Sequence, residues 1–278
     1  MNNDIFPNIE QAQIDAYNKD GVVILRNALT APMLTELRTA IASEILNPGP
    51  YYHGYATKGS GKFHGNMRLW ENNPSFRNIS QNSHLPDIAQ QFLGSTKVNL
   101  FYDQLFVKEA GTPIPTRWHN DLPYWPIRGS QTLSFWFAGD KSTRESGVLE
   151  FIRGSHLWDR YFQPEVFGKT RAIDAYEKNP DYEPMPDIEN HRDDYDIIHW
   201  DLEPGDALLF HGLTVHGAAG NTSQALRRRG YAIRYTGDDV VYDARIGTNK
   251  HLSNDTLADG DPLDSDQYPR VRGLQACK

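Results

Sequence analysis

The chain has 278 residues and a formal charge of −8 at pH 7, long enough for a single domain with a substantial core. An acidic balance without a basic stripe excludes a polyanion-binding surface, so neither nucleic acid nor a membrane is expected as a partner. The one cysteine, Cys277, excludes an intrachain disulfide. Met1–Pro7 lacks a basic stretch leading into an apolar one, and no apolar run approaches the roughly 20 residues needed to cross a bilayer, so the expectation is a cytoplasmic protein.

Residues 1–97 read as helical support with one strand. Ile14 to Asn18 close a short helical pattern, and Gly21–Leu25 is a β-branched run suited to a buried strand. Thr30 is placed to cap a helix with Pro32 in its first turn and Leu37, Ile41 and Ile45 as a buried stripe. Tyr51 to Lys62 has no periodicity and reads as a loop. Asn73-Pro74 and Pro86-Asp87 look like two further helix starts, the second helix stopping at Gly94.

From Val98 the pattern changes to strands. Val98–Lys108 is long and aromatic, and is followed by Thr116–Asp121, Leu133–Ala138, Val148–Ile152, Ile197–Leu202, Ala207–His211 and Tyr231–Thr236, divided by turn signals such as Glu203-Pro204-Gly205-Asp206. Short strands in succession predict an antiparallel sandwich or barrel, a jelly roll, over residues 98–240. An acidic insertion interrupts it at about 157–196. Between Asp174 and Asp196 it holds nine acidic residues against Lys178 and Arg192, with three prolines, and reads as a solvated surface loop, with a lid that closes over substrate as the alternative. Residues 241–278 form a polar tail.

The chemistry concentrates in Trp118-His119-Asn120-Asp121. On a strand, His119 and Asp121 project to the same side and can present an imidazole and a carboxylate to one point. A third ligand from Phe210–Gly217 would complete a two-histidine, one-carboxylate face suited to Fe(II) with open positions for O₂ and a substrate. His216 and His211 compete for that place. Arg227-Arg228-Arg229 lie in an apparent strand, where alternation sends the middle arginine away from its neighbours. Trp118, Tyr124, Trp125 and Trp136 read as packing, with lining of a pocket beside the triplet as the alternative, and His156 as a turn residue.

Several of these segments, in this order, resemble signatures of the phytanoyl-CoA dioxygenase family of Fe(II)- and 2-oxoglutarate-dependent oxygenases. They are Phe106–Thr112, Trp118–Asp121, Leu122–Pro126, Gly147–Leu149, Gly154–His156, Gly205-Asp206 and His216–Ser223. The resemblance implies a mainly β fold with N-terminal helices, a double-stranded β-helix of the jelly-roll, cupin-like type. It implies iron held by His119, Asp121 and His216, with 2-oxoglutarate and O₂ as cosubstrates. The family places an arginine eleven residues after the distal histidine to hold the far carboxylate of 2-oxoglutarate, and Arg227 occupies that position. Arg229 would share its side of the strand, and Gln104 and Ser134 occupy positions that contact the cosubstrate in similar proteins. Asp121 argues against halogenation, for which a small residue replaces the carboxylate. The expected reaction is hydroxylation, or another C–H oxidation, of a small-molecule metabolite or natural-product intermediate with release of succinate and CO₂. Two alternatives stand beside it: a cupin-like metal enzyme that does not use 2-oxoglutarate, and a non-catalytic jelly-roll binding protein.

Overall fold

The helices lead, and their boundaries follow from capping chemistry in the computed structural model, which describes residues 9–165 and 176–273. Cys277 and Asp174 lie outside those residues. Helix α1 (Gln11–Asp20) ends on Gly21 at φ 77°, whose N–H returns to the Tyr17 carbonyl. A β-carbon there would meet His156 and Thr214, so both the left-handed turn and the close approach require glycine. Helix α2 (Ala31–Leu46) starts where the Thr30 hydroxyl accepts from the Met33 N–H, and it buries Leu37 and Ile41 completely. Three shorter helices follow: α3 (Leu69–Asn72), α4 (Pro74–Gln81), capped by Asn73, and α5 (Leu85–Leu93), closed by Gly94.

Fourteen strands are present among the described residues. In order they are β1 (Val22–Leu25), β2 (His53–Ala56), β3 (Lys62–Met67), β4 (Val98–Lys108), β5 (Thr116–His119), β6 (Ile127–Arg128), β7 (Thr132–Ala138), β8 (Glu150–Ile152), β9 (Ile197–Ile198), β10 (Ala207–His211), β11 (His216–Ala218), β12 (Arg228–Thr236), β13 (Val241–Tyr242) and β14 (Arg270–Arg272). The larger sheet runs β1-β10-β7-β12-β4-β3-β2, with β14 also on β4; the smaller runs β5-β11-β8-β9, and β13 pairs with β6. Every pairing is antiparallel, and the two main sheets form the jelly roll that the sequence pattern predicts.

The two faces of the larger sheet separate cleanly. Phe135, Phe137, Leu209, Tyr231, Ile233 and Tyr235 point outward and are buried under Leu37, Ile41, Phe76, Ile88 and Phe92 of the helices. At about 1.5–3 kcal/mol for each large apolar side chain, this layer fixes the register of β7, β10 and β12. Alternate residues of the same strands therefore face the space between the sheets.

Three expectations are corrected. Residues 51–62 are not simply a loop, because β2 and β3 form a hairpin that extends the larger sheet beyond β4. The strand expected from Tyr231 begins at Arg228, since β12 pairs with β4 from Lys108 onward. The tail beyond 240 contributes β13 and β14, and residues 244–253 form part of a cavity wall. Among the described residues no helix is long and apolar enough to cross a membrane.

Candidate metal centre and cavity

His119 ends β5 and His216 opens β11, and the two are directly paired across strands with ring centroids 4.2 Å apart. Asp121 is not on a strand as the sequence suggested. The chain turns at Asn120, whose amide donates to the Arg160 carbonyl at 2.8 Å and whose oxygen accepts from the Phe162 N–H. Asp121 thereby takes helical backbone angles at the head of the 3-10 turn Leu122–Tyr124. The turn still delivers its carboxylate to the histidines. One ligand atom from each of His119, Asp121 and His216 lies within 4.8 Å of the other two, and all three residues are buried.

Hydrogen bonds set the tautomers. His119 Nδ1 lies 2.7 Å from the Arg117 carbonyl and His216 Nδ1 lies 3.0 Å from the Thr214 carbonyl. A carbonyl can only accept, so each Nδ1 carries the proton and each Nε2 presents a lone pair, the arrangement a metal-binding imidazole needs. Burial, reinforced by the neighbouring His119, pushes the His216 imidazole down to about 3, so it is neutral at ordinary pH. Burial on its own would raise the Asp121 carboxyl. The Arg234 guanidinium outweighs it and holds the group well below the usual carboxylate range. Two imidazoles held by backbone carbonyls through Nδ1 and an anionic carboxylate, buried and converging, fit a divalent metal with positions to spare.

The triad lies in the wall of a cavity of about 1000 Å³ between the sheets. Its inner face follows the registers of β7, β12, β4 and β3. One row runs Ser134, Arg234, Tyr102; the next runs Trp136, Ala232, Gln104, Met67; a third runs Ala138, Gly230, Phe106, Gly65; and Arg228 stands opposite Lys108 and Phe63 beyond them. Tyr55 from β2, Tyr124, Tyr176 and residues 244–253 close the outer part.

Sequence-predicted residues distribute unevenly over this site. Gln104 lines the cavity, and Ser134 is fully buried with its hydroxyl 3.4 Å from Asp121 Oδ2. Arg227 does not reach the cavity: its side chain is 42% exposed and its Nε donates to Glu109 at 2.8 Å. Arg229 is on the outer face, where it grips Asp140 with two hydrogen bonds. The inward arginine is Arg228, the one expected to point away. Tyr231, Ile233 and Tyr235 are committed to the helix side, so alternation turns Arg228, Gly230, Ala232 and Arg234 inward.

Arg228 is 1% exposed and lies 5.2 Å from the Trp136 ring. Its Nη1 donates to the Phe106 carbonyl at 3.1 Å, while its Nε has no hydrogen-bond partner. Burial lowers the guanidinium to about 9, against the attraction of Asp140, and it stays charged at neutral pH. Gly230 makes room for it, since a β-carbon there would sit 2.4 Å from Trp136 and 2.9 Å from Arg228 Nη1. Opposite it, Lys108 is buried with Nζ donating to the Ala219 carbonyl at 2.5 Å, and burial lowers that amine well below its ordinary value.

His211 stands outside the triad. Its Nε2 is 2.7 Å from the Ser130 carbonyl and its Nδ1 accepts from the Leu213 N–H, a structural role. His156 serves a turn, with Nε2 3.0 Å from the Asn18 carbonyl. Of the aromatics read as packing, Trp118 and Trp125 are so placed, whereas Tyr124 and Trp136 line the cavity. Of the acidic segment, Tyr176 and Glu177 also line it, and Ile188 is buried, so the segment is packed and not merely solvated.

Comparison with known proteins agrees with this architecture. A family model described as phytanoyl-CoA dioxygenase (PhyH) matches residues 17–230. The chain is 27% identical over 181 residues to a probable phytanoyl-CoA dioxygenase of Caenorhabditis elegans, covering 62% of this chain but only about half, 53%, of that protein. It is 24% identical over 266 residues to dioxygenase aneA of Aspergillus aculeatus, covering 90% of this chain and 79% of that one. Among solved structures it is similar to the non-haem α-ketoglutarate dependent carbocyclase SnoK from nogalamycin biosynthesis, with a TM-score of 0.74, 24% identity and coverage of 95% of this chain and 97% of that one. The epimerase SnoN, solved with Fe3+, α-ketoglutarate and nogalamycin RO, aligns with a TM-score of 0.73 at 20% identity over 94% of this chain and 98% of that one.

Proposed function

The chain belongs to the phytanoyl-CoA dioxygenase family, and from that premise we propose that it is an Fe(II)- and 2-oxoglutarate-dependent dioxygenase acting on a small-molecule metabolite or natural-product intermediate. The observation that carries this reading is the convergence of His119, Asp121 and His216, with each histidine held through Nδ1 by a backbone carbonyl, in a cavity that also holds a buried arginine. Bound there, iron with O₂ and 2-oxoglutarate supplies the oxidising power for C–H hydroxylation or a related oxidation, with release of succinate and CO₂. The chain's own groups divide the remaining work. His119, Asp121 and His216 would hold the metal, and three protein donors would leave further positions for cosubstrates.

Arg228 takes over from Arg227 the role of pairing with the far carboxylate of 2-oxoglutarate. Nε and Nη2 form the guanidinium edge left after Nη1 is committed to Phe106, and a planar edge of two N–H groups matches a carboxylate. Trp136 braces it, and Gln104 lines the wall two rows away, in the row of Trp136. Tyr55, Tyr102, Tyr124 and Tyr176 offer flat, hydrogen-bonding surfaces to the substrate and limit water at the reacting carbon. The cavity volume exceeds what 2-oxoglutarate alone would fill, which supports a substrate of substantial size.

The test is anaerobic addition of Fe(II) and 2-oxoglutarate, followed by visible charge-transfer absorption, and then succinate release on admitting air. A band that appears with the native chain and is absent from His119→Ala supports the reading. No band and no succinate would leave a non-catalytic jelly roll. Metal binding and turnover indifferent to 2-oxoglutarate would point to a cupin-like enzyme of another kind.

A further inference from the structure

The two oxygens of Asp121 are treated differently. Oδ1 lies 3.4 Å from His119 Nε2, on the side where the imidazole lone pairs converge. Oδ2 faces the sheet, 3.4 Å from the Ser134 hydroxyl and 3.7 Å from Arg234 Nη2. Those partners are set by strand register. Arg234 on β12 is directly opposite Ser134 on β7 and Tyr102 on β4, so the three project as one row toward Asp121.

Arg234 is held firmly. Its side chain is 4% exposed, and its guanidinium lies over the Tyr102 ring at 4.5 Å and 5.8 Å from the Phe106 ring. Tyr102 is itself fixed by the Trp125 indole N–H at 2.9 Å. Nε and Nη1 of Arg234 make no hydrogen bond, and among the described residues its ion pair is with Asp121. A buried cation beside a metal site needs a reason, because it repels the metal. Outer partners of histidine ligands are usually carbonyls or carboxylates, which raise ligand basicity; a ligating carboxylate takes donors instead, and here the donor beside Oδ2 carries a full positive charge.

We propose that Arg234, aided by Ser134, is a positioning residue that holds the second oxygen of Asp121 away from the metal, so that this carboxylate donates one oxygen and not two. The consequence is a coordination position kept open. A three-residue face must leave room for a chelating 2-oxo acid and for O₂, and a second Asp121 oxygen would occupy part of that room. The inference rests on the metal-site reading above and concerns a step that reading leaves unassigned.

Co(II) is the probe, because its visible spectrum reports the number and type of its ligands. The native chain, Arg234→Met, Arg234→Lys and Ser134→Ala are each titrated with Co(II), scanned before any 2-oxo acid is added, and then titrated with 2-oxoglutarate. In Arg234→Met the expected result is Co(II) affinity equal to or tighter than native and a spectrum already changed without 2-oxoglutarate. Affinity for 2-oxoglutarate should be weaker by about tenfold or more. Arg234→Lys keeps the charge and moves each value back toward native, and Ser134→Ala shifts the spectrum the same way to a smaller extent.

A native-like Co(II) spectrum in Arg234→Met with weakened 2-oxoglutarate binding overturns the proposal, because it means that the arginine touches the ligand directly. So does loss of Co(II) binding in both Arg234→Met and Ser134→Ala, which marks a merely structural role. Should Arg234→Met fail to fold, an unchanged spectrum in Ser134→Ala overturns it equally. A native chain that takes up no Co(II) fails earlier and separately, since it sinks the metal-site reading before any variant is compared.

Discussion

Replacing Arg228 by glutamine removes a guanidinium whose Nη1 is committed to the Phe106 carbonyl at 3.1 Å and whose Nε has no protein partner. One edge with two N–H groups is therefore what Arg228 has to give a carboxylate. A hydrogen bond to a charged group contributes about 1.5–3 kcal/mol, and truncating one side of a buried charged pair costs about 2–5 kcal/mol. A loss of about 3 kcal/mol corresponds to roughly a hundredfold weaker binding of 2-oxoglutarate. Arg227→Gln is the control, since it breaks a half-exposed ion pair with Glu109 worth about 1 kcal/mol or less and touches nothing in the cavity. The assay is anaerobic titration of the Fe(II)-loaded chain with 2-oxoglutarate, following the charge-transfer band, with thermal unfolding alongside. Arg228→Gln should need about a hundredfold more 2-oxoglutarate to reach half of the band while its unfolding temperature stays near native or rises, because an incompletely paired buried charge has been removed. If Arg227→Gln loses the affinity and Arg228→Gln keeps it, the inward assignment of Arg228 is refuted.

Three further outcomes can be measured independently. His216→Ala should leave dialysed protein without bound Fe(II), whereas His211→Ala should retain the metal and lose only about 1 kcal/mol of stability with its Ser130 hydrogen bond; metal analysis showing the reverse would remove His216 from the centre. Gly230→Ala puts a β-carbon 2.4 Å from Trp136 and should cost about 1–3 kcal/mol in urea unfolding while weakening 2-oxoglutarate binding; a variant native in both respects would mean that Arg228 and Trp136 do not need that space. Asp103 is raised to about 7 by burial, against hydrogen bonds from Tyr231 and Trp70. The folded state therefore holds an extra proton between about pH 4 and 7, and stability should fall by about 4 kcal/mol as pH rises through that window. Asp103→Asn should flatten the dependence, so equal slopes for native and variant in unfolding at pH 5 and pH 8 would disprove it.

The elements the sequence made legible are those governed by local chemistry. Thr30 and Asn73 as caps, Gly94 as a stop, and the strands Val98–Lys108 and Ala207–His211 all sit where composition alone places them. What escaped depends on distant contacts. The β2–β3 hairpin carries Gly, His, Tyr and Lys without clean alternation, and becomes a strand pair only because β4 offers a free edge. Residues 244–253 carry no periodicity because they line a cavity instead of a core. The arginine error is different in kind, because the signal was present. Tyr231, Ile233 and Tyr235 alternate as a strand with one apolar face, and extending that count backwards puts Arg229 with them and Arg228 opposite. Counting residues from His216 ignored that the intervening loop can vary by one.

That apolar alternation also explains why a single strand can carry so much of the site. The inner face of β12 reads Arg228, Gly230, Ala232, Arg234, two long cations separated by the two smallest side chains. Six residues of extended chain span about 20 Å, so the guanidinium groups enter the cavity from opposite ends over a low floor. Ala232 and Gly230 leave volume for ligand and for Trp136, while Arg234 stands beside Asp121 and Arg228 beside Phe106. A slip of one residue would bring Arg229, Tyr231 and Ile233 inward, filling the floor and exchanging one charge for an apolar group. The outward aromatics buried under α2, α4 and α5 oppose that slip. Packing on the helix side thus fixes the chemistry on the cavity side, and a mutation that loosened Tyr231 or Tyr235 would be felt at the metal centre through the positions of Arg228 and Arg234.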